Sequence, residues 1–187
     1  TGIGAGEVAS VRGFGFPAPA GLASVVVANC AGRVVLADLR ITSGLAIWAV
    51  TITDAASVSM DRCVAAMLTE VTRSKVSATG CEFRPGSVFN AAALALDQAA
   101  VTLVQCQALV PASRGIHAVL CHDSSMDLRG TSAHKIQSGH LFIRGGQIIP
   151  LPAIRATGTS SLVADPDVAL VPARRERRSC IARVSGW

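Results

Sequence analysis

One short phrase recurs along this chain. It consists of an apolar residue, a spacer, a second apolar residue, two further spacers and a small residue. It reads Val58-x-Met60-x-x-Cys63, then Val76-x-Ala78-x-x-Cys81, then Val101-x-Leu103-x-x-Cys106. Looser copies are Val34-x-Leu36-x-x-Leu39, Met126-x-Leu128-x-x-Thr131 and Leu141-x-Ile143-x-x-Gly146. Alternation with period two is the signature of a strand that buries one face. The closing positions are 24, 18, 25, 25 and 15 residues apart, so insertions are expected at one or more corners.

A second alternating strand precedes several copies, with a polar or small-residue corner between. Val25–Ala28 runs into Asn29-Cys30-Ala31-Gly32, and Val50–Thr53 into Asp54-Ala55-Ala56-Ser57. Leu94–Leu96 runs into Asp97-Gln98-Ala99-Ala100, and Ala118–Leu120 into Cys121-His122-Asp123-Ser124. Asn and Asp tolerate left-handed backbone, and Gly and Ser relieve crowding, which suits a tight bend. The expected unit is strand, corner, strand, variable loop. A single unit cannot bury its apolar side, whereas units stacked about 4.8 Å apart satisfy one another's backbone groups. The reading is an all-β chain, a right-handed parallel β-helix (solenoid) of about six coils. Leu39, Cys63, Cys81, Cys106, Thr131 and Gly146 are predicted to stack in one column. Its sulfurs are expected as packed thiols, although the coil spacing lies within disulfide reach.

Two rival folds fit less well. A β-sandwich would show Asn-Gly or Asp-Gly hairpin turns, and the sequence has none. A doubly wound α/β domain needs amphipathic helices between strands, and only Met67 to Lys75 could be argued as helix. No uninterrupted apolar run reaches the roughly 18 residues of a membrane-spanning helix. Residues 1–20, rich in Gly, Ala and Pro, are read as an N-terminal cap or the remnant of a preceding coil. The β-helix is placed at 21–166, with its last strands at Ala153–Ala156 and Ser161–Ala164 around a corner at Gly158 to Ser160. Residues 167–187 are read as a basic, disordered tail.

The formal charge is +5, and four of those five charges lie between Arg174 and Trp187, where Arg174, Arg175, Arg177, Arg178 and Arg183 face only Glu176. The nearly neutral remainder lacks the electrostatic footprint of a nucleic-acid binder, and its few aromatics are not interleaved with basic residues. Half the residues are apolar, but only 4% are aromatic, which suits narrow, repetitive interior layers. The six Cys form no CxxC pair, so they do not by themselves reveal the compartment. The sequence given shows no targeting signal.

The strand–Asn-Cys-Ala-Gly–strand phrase from Val25 to Leu36, with the later Val-x-Met-x-x-Cys and Val-x-Leu-x-x-Cys strands, resembles right-handed parallel β-helix proteins of the pectin-lyase-like superfamily. The resemblance covers about residues 20–166. It implies an exported or cell-surface setting and leaves activity open, because that architecture hosts lyases, hydrolases, tailspikes and adhesins.

Lyases of this kind use clustered acidic calcium ligands and an Arg base. Here the twelve acidic residues are scattered. Asp165-Pro166-Asp167 reads as a turn, and Arg84-Pro85 lacks a second Arg. Asp38, Asp54, Asp61 and Asp97 occupy corners or strand exteriors without consistent pairing, whereas a hydrolase needs converging carboxylates. His117, Cys121, His122, Asp123, His134 and His140 are the densest set of ligating groups. Adjacent Cys121 and His122 would point to opposite faces of a strand, however, which is poor geometry for joint zinc ligation. Ser124 and Ser125 beside His122 and Asp123 lack a nucleophile elbow. The Gly2, Gly4, Gly6 run and Gly13-Phe14-Gly15 follow no strand, so they give no nucleotide site. Thr51-Ile52-Thr53 is a Thr-x-Thr strand of the ice-binding type that occurs only once. No catalytic, cofactor-binding or metal-binding residue is therefore assigned, and no cofactor is expected. The expected function is a non-catalytic extracellular or cell-surface β-helix, structural or polysaccharide-binding. The alternative is a fragment of a carbohydrate-active enzyme, a polysaccharide lyase or glycoside hydrolase.

Overall fold

Alternation places every second side chain on the same side of a strand, and in the computed structural model those sides meet in one apolar interior. The structure describes residues 3–17, 23–42, 48–86, 92–111, 115–129, 135–142, 148–165 and 181–184. Among them the chain is all-β, with parallel sheets and no helix. Among the described residues no helix is long and apolar enough to cross a membrane.

The strands fall into rows, each a pass of the chain paired with the pass before and after. The first row is Val8–Arg12 and Gly15–Pro17, and the second is Val25–Ala37 and Arg40–Thr42. The third is Trp48–Asp61 and Val64–Ala65, and the fourth is Leu68–Thr72, Lys75–Thr79 and Glu82–Phe83. The fifth is Ala92–Asp97, Ala100–Val104 and Gln107–Leu109, and the sixth is His117–His122, Ser125–Asp127 and Lys135–Gln137. The seventh is Ile154–Thr157 and Ser161–Ala164. Ile181–Val184, inside the segment read from sequence as a tail, pairs in parallel with Ser161–Ala164.

The register follows the recurring phrase. Val34 pairs with Val58, Val58 with Val76, Val76 with Val101, and Val101 with Met126. The two halves of Trp48–Asp61 pair separately with Leu68–Thr72 and Lys75–Thr79, so one 12-stranded sheet continues around the corner and is nearly closed, barrel-like. A 6-stranded parallel sheet holds the short third strands. Leu36, Met60, Ala78 and Leu103 are all buried and fill the interior between them. Val, Leu, Ile, Met, Ala and Cys dominate this interior, and Phe83 is its largest fully buried side chain.

Several sequence expectations change. Each full row carries a third short strand after a second corner, where a single corner was expected. Met67 to Lys75, the one stretch arguable as helix, contains the strand Leu68–Thr72 and a bend into Lys75–Thr79, because both flanks pair with neighbouring rows. Within residues 1–20, expected as an N-terminal cap or the remnant of a preceding coil, Val8–Arg12 runs parallel to Arg33–Ala37. Gly32 is needed there, since a Cβ would stand 2.4 Å from Gly4 O and 2.5 Å from Glu7 O.

The Leu141 copy does not continue the parallel stack. His140–Phe142 instead pairs antiparallel with Ile148–Pro150. The place above Val119–His122 and Ser125–Asp127 is taken by Ile154–Thr157 and Ser161–Ala164, the strands and corner read as the last of the body. Thr131, Ile143 and Gly146 lie outside the described residues. Lys135 pairs with Gln107, 28 residues on, whereas Ser125 lies 25 beyond Ala100, so the chain gains three residues between those points.

Candidate functional site

Two lines of left-handed residues run across the rows and shape the molecule's surface. The first comprises Asn29, Asp54, Arg73, Gln98, Asp123 and Gly158, with φ from 45° (Arg73) to 67° (Gly158). The second comprises Gly13, Asp38, Arg62, Gly80 and Gln105, with φ from 49° (Arg62) to 70° (Gly13). Each member is in register with the next, because the flanking pairs Ala28↔Thr53, Thr53↔Thr72, Thr72↔Asp97, Asp97↔His122 and His122↔Thr157 are. Their amides bond across rows, as Arg73 N to Asp97 O (2.9 Å) and Arg62 N to Thr79 O (2.9 Å) show.

Gly, Asn and Asp visit this backbone region readily, but Arg does so at a cost. Both arginines are held by the carboxylate one row earlier. Arg73 Nε and Nη2 donate to Asp54 Oδ1 and Oδ2, each at 2.7 Å, and Arg62 Nε and Nη2 donate to Asp38 Oδ1 and Oδ2 at 2.8 and 2.9 Å. These hydrogen bonds hold both carboxyls below the usual carboxylate range. Asp61 adds a contact of 2.6 Å to Arg62. Asp38 and Asp54, two of the four acidic residues that looked unpaired in sequence, are therefore paired with a basic residue 24 or 19 positions on.

At several of these corners the next residue is a small, buried Ser or Cys whose side chain closes the bend. On the first line Ser74 Oγ donates to Thr72 O (2.8 Å) and accepts the Ala55 amide (2.9 Å). Ser124 Oγ donates to His122 O (2.7 Å) and accepts the Ala99 amide (3.0 Å). On the second line cysteines do the same work. Cys63 Sγ lies 3.4 Å from Asp61 O, Cys81 Sγ 3.4 Å from Thr79 O, and Cys106 Sγ 3.4 Å from Val104 O, while the Cys63 amide donates to Cys81 Sγ at 3.4 Å. Leu39, Cys63, Cys81 and Cys106 thus occupy equivalent positions, as Val64 N to Leu39 O, Glu82 N to Cys63 O and Gln107 N to Cys81 O confirm.

Along the first line lies an open groove. One stretch, of about 480 Å³, has Ala55, Ala99, Ala100, Ser125 and Ser161 among its lining, with Lys75, Gln98 and Asp123. A second, of about 430 Å³, shares Ala55, Ala56 and Arg73 with it and extends to Asn29. Small residues leave the groove open, and hydroxyl, amide and charged groups line it. Lys75 has no ion-pair partner among the described residues.

The sequence candidates separate in space. Cys121 is buried and His122 exposed, on opposite faces of their strand as the alternation required. His122 Nδ1 lies 3.0 Å from Thr157 Oγ1 and Nε2 3.3 Å from Asp123 Oδ2. Asp123 Oδ1 accepts the Thr159 amide (2.8 Å) and hydroxyl (3.1 Å), which holds its carboxyl below the usual range. His117 bonds Pro152 O at 2.9 Å, away from that group. His134 and the side chain of His140 lie outside the described residues. Arg84 bonds Glu82 two residues back. The described residues contain no group of three or more His, Cys, Asp or Glu placed to hold a metal. Sequence reading missed the groove because its lining is Ala, Ser and Lys. The signal available was the polar residue recurring just before each second strand.

No protein-family model, curated protein or solved structure matches the chain.

Proposed function

We propose that the chain is a right-handed parallel β-helix of the pectin-lyase-like kind. In this reading it is a non-catalytic solenoid set outside the cell or on its surface, which holds an extended polysaccharide along the groove beside the Asn29–Gly158 line. The observation that carries the reading is the continuity of that groove across successive rows. Rows about 4.8 Å apart present hydrogen-bonding groups at a regular interval, which suits an extended polymer better than a compact ligand. The alanine lining gives a sugar chain room to lie close to the backbone. The carboxylates there are already engaged, Asp54 by Arg73 and Asp123 by Thr159. That favours binding over acid–base chemistry, which needs two carboxyl groups flanking the scissile bond.

The test is affinity electrophoresis against pectins, alginates and glycosaminoglycans, with unsaturated products and reducing ends followed in parallel. Retardation by at least one polymer without turnover is expected, and Ala100→Trp, which fills the groove, should abolish it with the circular dichroism spectrum unchanged. Absence of retardation across the panel rejects the reading. Turnover that disappears in Arg84→Ala would replace it with the lyase alternative.

A further inference from the structure

The column of Cys63, Cys81 and Cys106 sets three thiols in consecutive rows at equivalent positions. All three are free thiols and all are buried. Paired rows set their Cα atoms about 4.8 Å apart, inside the roughly 4.4–6.8 Å that a disulfide spans. The sulfurs also lean along the stack. Cys106 Sγ reaches to 3.3 Å from Ala78 O, in the row that carries Cys81, and Cys81 Sγ takes the amide of Cys63 in the row before. We propose that this column is a redox site, in which a peroxide-class oxidant converts Cys81 and Cys106 into a cross-row disulfide while Cys63 remains a thiol.

The three thiols are not equivalent. The contact with Cys81 lowers the Cys106 thiol below its ordinary range, whereas Cys81 is pushed up to about 12, first by its contact with Cys106. Cys63 is raised further still, first by its contact with Cys81 and then by burial. Cys106, whose sulfur reaches back into the row of Cys81, is the first nucleophile in this proposal. Its thiolate attacks one peroxide oxygen, the O–O bond breaks, and the departing hydroxide takes up a proton as water, leaving a sulfenic acid. Cys81 then attacks that sulfur, the S–O bond breaks, and the second hydroxide leaves as water with the Cys81 proton. Two thiols and one hydrogen peroxide give one disulfide and two waters, a two-electron oxidation. Neutral disulfide suits this apolar interior better than a buried thiolate.

Side chains in register on parallel strands project side by side, so the two sulfurs must be drawn together to bond. The bridge is therefore strained and readily reduced, as in regulatory rather than structural disulfides. Cys81 is the shared member, so only one bridge forms at a time.

The test uses the whole reduced, folded chain. It is treated with hydrogen peroxide, alkylated, and cleaved with a glutamate-specific protease, which separates Cys63, Cys81 and Cys106 at Glu70 and Glu82. The expected product is a Cys81–Cys106 cross-link lighter by two hydrogens, with Cys63 alkylated and the link removed by dithiothreitol. Intact thiols, sulfinic or sulfonic acid on a single cysteine, a Cys63–Cys81 link, or a link to Cys30 or Cys121 would each overturn the proposal. Cys81→Ala and Cys106→Ala should lose the link and Cys63→Ala keep it. Should a variant fail to fold, the map of the unsubstituted chain decides alone.

Discussion

At the residue scale, a left-handed bend creates a local shortage of hydrogen bonds that the following side chain makes good. The carbonyl two residues earlier is left facing the small side chain, and the amide one row back needs an acceptor. Ser74 and Ser124 supply both functions on one line of corners and Cys81 on the other, where Cys63 Sγ also reaches the carbonyl two residues back. Ser124→Ala should therefore strand the buried Ala99 amide and lower stability by about 2 kcal/mol, the scale of an unsatisfied buried donor. Ser124→Cys should lose less, because sulfur can serve weakly in both roles. Urea titration of the three proteins checks this, and equal losses for Ala and Cys would remove the hydrogen-bonding account. The cysteines were legible in sequence because they recur after the same phrase. The serines were not, since Ser in a corner fits many turn types and only the register shows what it bonds.

Between elements, the corners are also where neighbouring rows are held together by charge. Sequence identified Asn29, Asp54, Gln98 and Asp123 at bends because Asn, Asp and small neighbours mark turns. It passed over Arg73, because Arg does not mark a turn and Leu68–Thr72 looked arguable as helix. The physical reason for Arg73 and Arg62 lies one row away, in Asp54 and Asp38, a relation visible only once the rows are aligned. Both Asp carboxyls have folded pKa values lowered from the ordinary one, chiefly by the Arg hydrogen bonds. The unfolded chain therefore binds protons more tightly, and the pairing contribution is fully present above about pH 4 and lost as pH falls through the folded values. The urea midpoint should be flat between about pH 5 and 8 and fall below about pH 4. In the Asp38→Asn, Asp54→Asn double variant the midpoint should already be lower at neutral pH and decline less in acid. A decline as steep as in the unsubstituted chain would mean that other carboxylates control it.

For the whole molecule, the proposed solenoid predicts an interior column whose members touch mainly the rows before and after, so that depth along the stack sets what each side chain contributes. Ile52, fully buried in the third row, should cost about 3 kcal/mol on truncation to Ala, whereas Leu162, half-buried in the seventh, should cost about 1. Similar losses at both positions would indicate a core organised around one centre. The parallel body was legible because period-two alternation survives any spacing between copies. The row at Val8–Arg12, the third strands and the antiparallel pair were not. Three-residue strands leave no periodicity to read, and Leu141-x-Ile143 has the same pattern whether its partner runs parallel or antiparallel. That antiparallel pair lies between His122 and Thr157, which pair directly although 35 residues separate them, ten more than separate Asp97 from His122. The chain leaves the stack, makes a side structure of its own and returns in register. Position along the polymer and height in the stack are thus independent coordinates at this point, which makes it a natural splice site where foreign cargo could be carried on the flank.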